Sequence, residues 1–268
     1  MNKILKEIGF VLSFILLALN GYSKPRLSQF GQATNNGIFQ IQVYHLKNSE
    51  QLKAADDFLQ NAFLPALHRF GIKNIGVFKP IANDTANDKL IYVLIPFSSV
   101  DQWMKINDRL NADASYKSSG EKFLHADSKN PPFVRLESIL LQPFSGQTFL
   151  KIPKTKNAER VFELRSYESP TWHLADKKRA MFNKDEMNIF NRLGFDPVFY
   201  GEVISGSRMP NLMYMPIFKS VEDRNAQWKV FGKDAKWKEI SADPFNENNV
   251  SVNHIDSILM HSTDYSDY

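Results

Sequence analysis

The stretch VFELRSY (residues 161–167) repeats the alternation of an earlier stretch, IFQIQVY (residues 38–44), at a spacing of 123 residues. The same shift aligns RFGI (69–72) with RLGF (192–195) without a gap. Smaller shifts follow in order along the chain. A shift of 122 places Leu90, Tyr92 and Ile95 on Leu212, Tyr214 and Ile217, and a shift of 119 places the last apolar segments on each other. A shift that falls slowly and in order indicates two tandem copies of one unit.

Each copy has the pattern of a βαββαβ unit. An alternating first strand is followed by a helix with an apolar stripe, which ends at Gly71 or Gly194, the usual place for a left-handed cap. Two strands follow, then a second helix that begins after Ser99 or Ser220, and then a last strand. We therefore predict an α+β fold of two tandem ferredoxin-like units. Because such a sheet has helices on one face only, we expect the copies to pack sheet to sheet as an intrachain pseudo-dimer.

The repeat also divides the chain. We predict a first ferredoxin-like domain over residues 38–142 and a second over residues 160–262. The segment between them, residues 143–159, contains proline, glycine and several lysines and is predicted to be a linker. Residues 24–37 are predicted to be a lead-in segment.

Residues 1–23 have the layout of a secretory signal peptide. Lys3 and Lys6 precede an apolar run from Ile8 to Leu19, and small residues follow. The run is shorter than the ~20 residues that a membrane-spanning helix needs. We therefore expect an exported protein, periplasmic or secreted, with a cleaved signal and no stable membrane insertion afterwards. The alternative is an uncleaved N-terminal anchor.

Composition excludes several kinds of chemistry. The chain has no cysteine, so disulfides, thiol catalysis and thiolate metal sites are excluded. Its net charge of +4 is spread along the sequence, and the densest basic group, KKR at residues 177–179, fits a solvated helix face better than a nucleic-acid site. We therefore expect no nucleic-acid partner.

The second copy resembles the NIPSNAP family, a member of the dimeric α/β barrel superfamily. The resemblance is carried by FELRSY (162–167), RLGF (192–195), NLMY (211–214), SVEDR (220–224) and DAKW (234–237). The first copy matches in spacing more than in motif residues, since Gln40 and Gln42 replace the glutamate and arginine of the first strand. The resemblance implies the barrel fold in tandem form. It implies no defined activity, although related barrels include cofactor-free monooxygenases and isomerases.

Alternation on the strands suggests a polar cluster. We assign Phe162 and Leu164 to the helix side of the sheet. Glu163, Arg165 and Tyr167 are assigned to the opposite face, in the interior between the two sheets. The first and last strands of the unit lie in the same sheet, so polar groups on them can converge. Buried groups of this kind need partners and are common at functional sites. A structural ion-pair network is the competing interpretation. The candidate ligand-binding residues are Glu163, Arg165, Tyr167, Tyr214, His254 and Asp256.

Known motifs give no further site. The six histidines show no compact metal-ligand spacing, and there is no nucleophile elbow, dinucleotide fingerprint or P-loop. We therefore predict no metal and no cofactor, and assign no catalytic residue.

Three functions stay open. The first is a non-catalytic barrel that binds a small apolar molecule or a protein partner. The second is a cofactor-independent monooxygenase or isomerase that uses the polar cluster. The third is a structural assembly module, with a homo-oligomer as a candidate state.

Overall fold

The computed structural model describes residues 37–153, 157–246 and 248–268. The predicted signal peptide and all but the last residue of the predicted lead-in lie outside the described residues. Within the described part of the chain, no helix is long and apolar enough to cross a membrane.

The described residues form strands in two similar series. The strands are β1 (Ile38–Leu46), β2 (Gly76–Pro80), β3 (Lys89–Phe97), β4 (Arg135–Pro143), β5 (Val161–Glu168), β6 (Tyr200–Ser205), β7 (Asn211–Tyr214), β8 (Ile217–Phe218) and β9 (His254–Ser262).

The helices lie between these strands. They are α1 (Ser49–Phe58), α2 (Leu64–Arg69), α3 (Val100–Met104), α4 (Ile106–Ala112), α5 (Ala114–Leu124), α6 (Trp172–Met181), α7 (Met187–Leu193), α8 (Val221–Phe231), α9 (Ala235–Ser241) and α10 (Asn248–Ser251). A π-helical turn joins α1 to α2 (Leu59–Phe63), and another joins α6 to α7 (Phe182–Glu186).

The strands close into an antiparallel barrel. They pair in the order β7-β6-β4-β1-β3-β2-β9-β5, and β5 pairs back with β7, so eight strands form a ring. The short strand β8 continues β7 beyond Pro216 and pairs with the start of β5. The predicted α+β fold and barrel closure are confirmed.

Each half of the chain supplies four neighbouring strands to this ring. The first half gives β4-β1-β3-β2 and the second gives β6-β7-β5-β9. Two seams join the halves, β4 with β6 and β2 with β9. Every strand of the barrel therefore has two neighbours, and no long edge is left open.

Apolar side chains of the described residues form three clusters. One lies inside the barrel and draws on both halves, with Phe39 and Ile41 from β1 and Phe162 and Leu164 from β5. The other two lie outside the barrel, each between one half's strands and its helices.

The predicted helix ends are confirmed. Gly71 and Gly194 both have φ of +81°, the left-handed conformation that glycine tolerates best. Ser99 and Ser220 are N-caps whose side chains accept hydrogen bonds from the amides of Gln102 and Asp223.

The repeat alignment needs one correction in the third strand. Val43 pairs with Tyr92 and Ser166 pairs with Met213, so Tyr92 corresponds to Met213 and not to Tyr214. The shift there is 121, one less than the sequence comparison indicated. A slip of one residue moves a side chain to the opposite face. Tyr92 accordingly lies inside the barrel, and Tyr214 lies on the helix side.

Segments that follow the last strand of each half also pack on the barrel. Leu150 and Ile152, within the predicted linker, contact the interior cluster, and the amide of Lys151 donates to the carbonyl of Val198. Tyr268, beyond the predicted domain end, is buried against the rings of Phe78 and Phe162.

Candidate functional site

Strand β5 is turned over relative to the sequence assignment. Phe162 and Leu164 lie inside the barrel, whereas Glu163, Arg165 and Tyr167 face the helices of the second half. The predicted alternation is confirmed, but the two faces of the strand are exchanged. Both faces of this strand are buried, so hydrophobicity alone does not distinguish them.

Glu163 is the centre of a charged network on that helix side. Its carboxylate is fully buried and accepts hydrogen bonds from Arg165 Nη1 (2.6 Å), Ser257 Oγ (2.6 Å) and Trp228 Nε1 (2.7 Å). Arg224 binds both oxygens, at 2.6 and 3.0 Å. Burial alone would raise the pKa of Glu163, but Arg224, the charge of Arg165, Ser257 and Trp228 together lower it to about 2.

Arg165 links this carboxylate to a pair of tyrosines. Its Nε and Nη2 donate to the hydroxyl of Tyr167 at 3.1 and 2.8 Å, and that hydroxyl lies 3.0 Å from the hydroxyl of Tyr214. The guanidinium also lies over the ring of Trp228, 4.7 Å from its centroid. Four of the predicted residues, Glu163, Arg165, Tyr167 and Tyr214, are thus brought together.

A cavity of about 230 Å³ adjoins the network. Lys178 from α6 and Glu186 from the π-helical turn bring two more ionisable groups to it, and both side chains are almost fully buried. Burial lowers the pKa of Lys178. Burial also raises the pKa of Glu186, against the charges of Lys178 and Arg165, to about 7. The lining residues are Arg165, Tyr167, Lys178, Glu186, Trp228, Phe231 and Trp237.

Lys178 and Glu186 are not among the residues predicted from the sequence, and the predicted placement of Lys178 on a solvated helix face is wrong. Its relative exposure is 1%, and it lies over the rings of Tyr167 and Trp237. The 123-residue shift held the missing signal. It places Lys178 on Ala55 and Glu186 on Phe63, two core positions of the first half.

His254 and Asp256 do not join the network. They lie on the opposite face of β9, where the carboxylate of Asp256 is bound by Arg208 and by the imidazole of His254 at 3.0 Å. Glu168 completes this group, 3.6 Å from Arg208. One ligand atom each from Glu168, His254 and Asp256 lies within 4.8 Å of the others, and Arg208 pairs with both carboxylates.

A larger cavity, of about 570 Å³, lies inside the barrel at this end. Ser166 and Ser207 line it, and so do seven apolar side chains: Val43, Leu90, Ile139, Leu164, Val203, Met213 and Ile258. Tyr92 also lines it, and burial, then the carboxylates of Glu137 and Asp256, raise the pKa of its hydroxyl.

Two ion-pair groups form the rim of the barrel cavity. In the first half, His45 lies between Asp88 (2.7 Å) and Glu137 (3.1 Å), and Arg135 pairs with Glu137 at 2.9 Å. The group of Arg208 and Asp256 lies across from it. Under the shift of 119, Arg135 corresponds to His254 and Glu137 to Asp256, so the same strand positions supply both groups.

Comparison with known proteins identifies the domain type of the second half. Residues 162–267 match the model of the NIPSNAP family. No curated protein matches the sequence.

Solved structures share the barrel over most of the chain. A putative monooxygenase from Lactobacillus acidophilus NCFM is 13% identical, with a TM-score of 0.56, and the match covers 85% of this chain and 94% of that one. A putative monooxygenase from Fusobacterium nucleatum subsp. nucleatum is 8% identical, with a TM-score of 0.54 over 84% and 92% of the two chains. An anthrone oxidase-like protein is 9% identical, with a TM-score of 0.51 over 85% and 92%. At these identities the likeness shows the fold alone.

Proposed function

We propose that this chain is a binding protein that holds a small molecule, with an apolar body and a cationic head, in the barrel cavity. The observation that carries the proposal is the cavity itself, about 570 Å³ with an apolar wall and an ionic rim. This volume lies within the usual range of small-molecule sites.

The charge of the rim selects the head group. The rim groups and their ion-pair partners include four carboxylates, Asp88, Glu137, Glu168 and Asp256, against two guanidiniums, Arg135 and Arg208. Counting only the carboxylates and guanidiniums, four negative and two positive charges leave a net charge of −2. An ammonium group at the rim is therefore favoured over a carboxylate.

We also propose that the two halves are ferredoxin-like units that form a pseudo-dimer within one chain. It is supported by the shared element order of the two halves and by the two equivalent seams. The cavity lies where the halves meet, so one ligand contacts strands of both.

Cofactor-independent oxygenation is the second candidate, because two of the fold relatives are described as putative monooxygenases and a third as anthrone oxidase-like. Of the polar residues on which that hypothesis depends, Glu163 and Arg165 lie outside the barrel, whereas Asp256 lines the barrel cavity. Tyr92 would be the acid–base group nearest an apolar substrate in the barrel cavity. Oxygen consumption with the bound ligand separates oxygenation from binding alone.

The test begins with native mass spectrometry of protein purified from its host, to identify a retained molecule. Calorimetry with 2-phenylethylamine then probes the head group, with 2-phenylethanol as the uncharged control. Asp256→Asn should weaken amine binding about tenfold, the loss of one charge-assisted contact. The exposed Glu121→Gln should not change it. Equal affinity for amine and alcohol would contradict the cationic head.

We also propose that the protein is exported. The support is the basic start and apolar run of residues 1–23. Intact mass of the exported protein should give a chain that begins close to Lys24. Full-length protein in the cytoplasm would contradict this.

A further inference from the structure

The fold does not require the cavity on the helix side of the second half. At the corresponding place in the first half, aromatic rings fill the space. Phe63, which corresponds to Glu186, lies 5.9 Å from Phe58, and Phe58 stacks on Phe123 at 4.2 Å. The first half thus builds the same layer with an aromatic ring in place of the buried carboxyl group.

Glu186 is a buried carboxyl group whose hydrogen bonding is incomplete among the described residues. Its side chain is 3% exposed, it lines the cavity, and its Oε2 has no hydrogen-bond partner among the described residues. Buried polar groups are almost always paired, so an orphaned carboxyl oxygen beside a cavity indicates a missing partner.

The cavity wall carries positive charge. Glu163, a single carboxylate, is shared by two guanidiniums, Arg165 and Arg224, so this triad has a net charge of +1. Arg165 lines the cavity, and the indoles of Trp228 and Trp237 and the ring of Phe231 supply flat apolar walls.

We propose that this second cavity binds a small aromatic carboxylate. The ring would lie among the indoles and Phe231, and the carboxylate would receive hydrogen bonds from Arg165 and from the protonated Glu186. The cavity volume of about 230 Å³ equals the liquid volume of about eight water molecules at ~30 Å³ each. That is room for one aromatic ring with one carboxylate. The site is separate from the barrel cavity and does not depend on the function proposed for it.

Binding should take up a proton. The ionisable groups that act on Glu186 are Lys178 on α6, Arg165 and Tyr167 on β5, Tyr200 on β6 and Tyr214 on β7. Only the protonated carboxyl can donate to a bound carboxylate, since two anions would repel. With a pKa of about 7 for the free protein, Glu186 is mostly protonated at pH 6 and mostly ionised at pH 8.

In the experiment, the full chain is titrated with sodium benzoate, and calorimetry measures the affinity and the number of protons taken up. Affinity should fall about tenfold between pH 6 and pH 8, because the competent fraction falls by that factor. Calorimetry at pH 8 in two buffers of different ionisation enthalpy should show uptake of close to one proton. Glu186→Gln, which imitates the protonated carboxyl, should bind equally at both pH values and take up no proton. The exposed Glu121→Gln should behave like the parent.

Three results would overturn the proposal. The first is no benzoate binding at millimolar concentration at pH 6, which would leave an internal water only as the partner of Glu186. The second is benzoate binding without proton uptake by the parent. The third is a pH dependence that Glu186→Gln retains, which would place the titrating group elsewhere.

Discussion

The two helix-side cores of this molecule use the same positions for opposite chemistry. In the first half, Gln40 donates to Ser138, Gln42 to Gln40, and Tyr44 to Gln42, so the strand positions carry neutral hydrogen bonds. In the second half, the corresponding positions carry Glu163, Arg165, Tyr167 and Ser257, linked as ions and their partners.

The difference shows that the fold does not require the charges. Neutral amides on β1 and phenylalanines on the helices support the same order of strands and helices as the ionic network does. A buried ion pair contributes little net stability compared with apolar packing. The charged set is therefore best explained by the cavity beside it.

The largest effect should come from moving the carboxyl of one core into the other. Phe63→Glu would lose ~3–5 kcal/mol of aromatic packing and bury a carboxylate without a cation, since Ala55 stands where the second half has Lys178. We expect a chain that no longer folds cooperatively by circular dichroism. Phe63→Leu is the control and should fold. A cooperative transition close to that of the parent would show that the first core tolerates charge.

Removal of the central carboxylate should come next. Glu163→Gln leaves Arg165 and Arg224 without a counter-charge and should lower the free energy of unfolding by ~3–5 kcal/mol at neutral pH. Because the folded pKa lies below the unfolded value of 4.5, the stabilisation is present above that value and is lost as the pH falls through about 2.

Two variants calibrate that measurement by urea unfolding. Gln40→Ala, at the corresponding position, should cost only about 1 kcal/mol. Arg165→Ala should cost less than Glu163→Gln, because Arg224, Trp228 and Ser257 still hold the carboxylate. Equal losses for Gln40→Ala and Glu163→Gln would remove the contrast between the cores.

A stabilising substitution should follow. The folded pKa of Glu186, about 7, lies above the unfolded 4.5, so its contribution is full below 4.5 and is lost as the pH rises through 7. Glu186→Gln avoids this loss and should be more stable than the parent by about 3 kcal/mol at pH 8, but not at pH 4. Thermal melts across this range measure it. A constant difference between parent and variant would mean that Glu186 does not titrate there.

The smallest effect should be equal in both halves. Gly71 and Gly194 share φ of +81°, and a Cβ at either position would meet nothing within 4 Å. Alanine at each should therefore cost about 1 kcal/mol of backbone strain and no more. Unequal losses in urea unfolding would show that the two helix ends differ beyond their geometry.

The fold could be predicted from the sequence because it rests on local signals that repeat. Gly71 and Gly194 fixed the helix ends, Ser99 and Ser220 fixed the helix starts, and the alternation at residues 161–167 fixed a strand. Agreement between two copies made each signal stronger than it would be alone.

The site could be predicted only in part. Period-two alternation says which residues share a face and not which face is enclosed by the barrel, so Glu163 and Arg165 were grouped correctly and placed wrongly. The error with Tyr92 has the same origin, since a one-residue slip in an apolar strand changes no pattern. Glu186 and Lys178 come from helices, and their approach to β5 depends on packing that no spacing encodes.

Closure of the barrel within one chain affects its stability on dilution and the way in which its two halves can change by mutation. Seams between separate subunits weaken as concentration falls, whereas tethered segments meet at an effective concentration of order millimolar. In a symmetric assembly every mutation appears twice, so a carboxylate placed in one core is placed in both. A single chain is free of that rule. One half can keep a closely packed aromatic core. The other half can acquire different residues one at a time and still close the barrel with it.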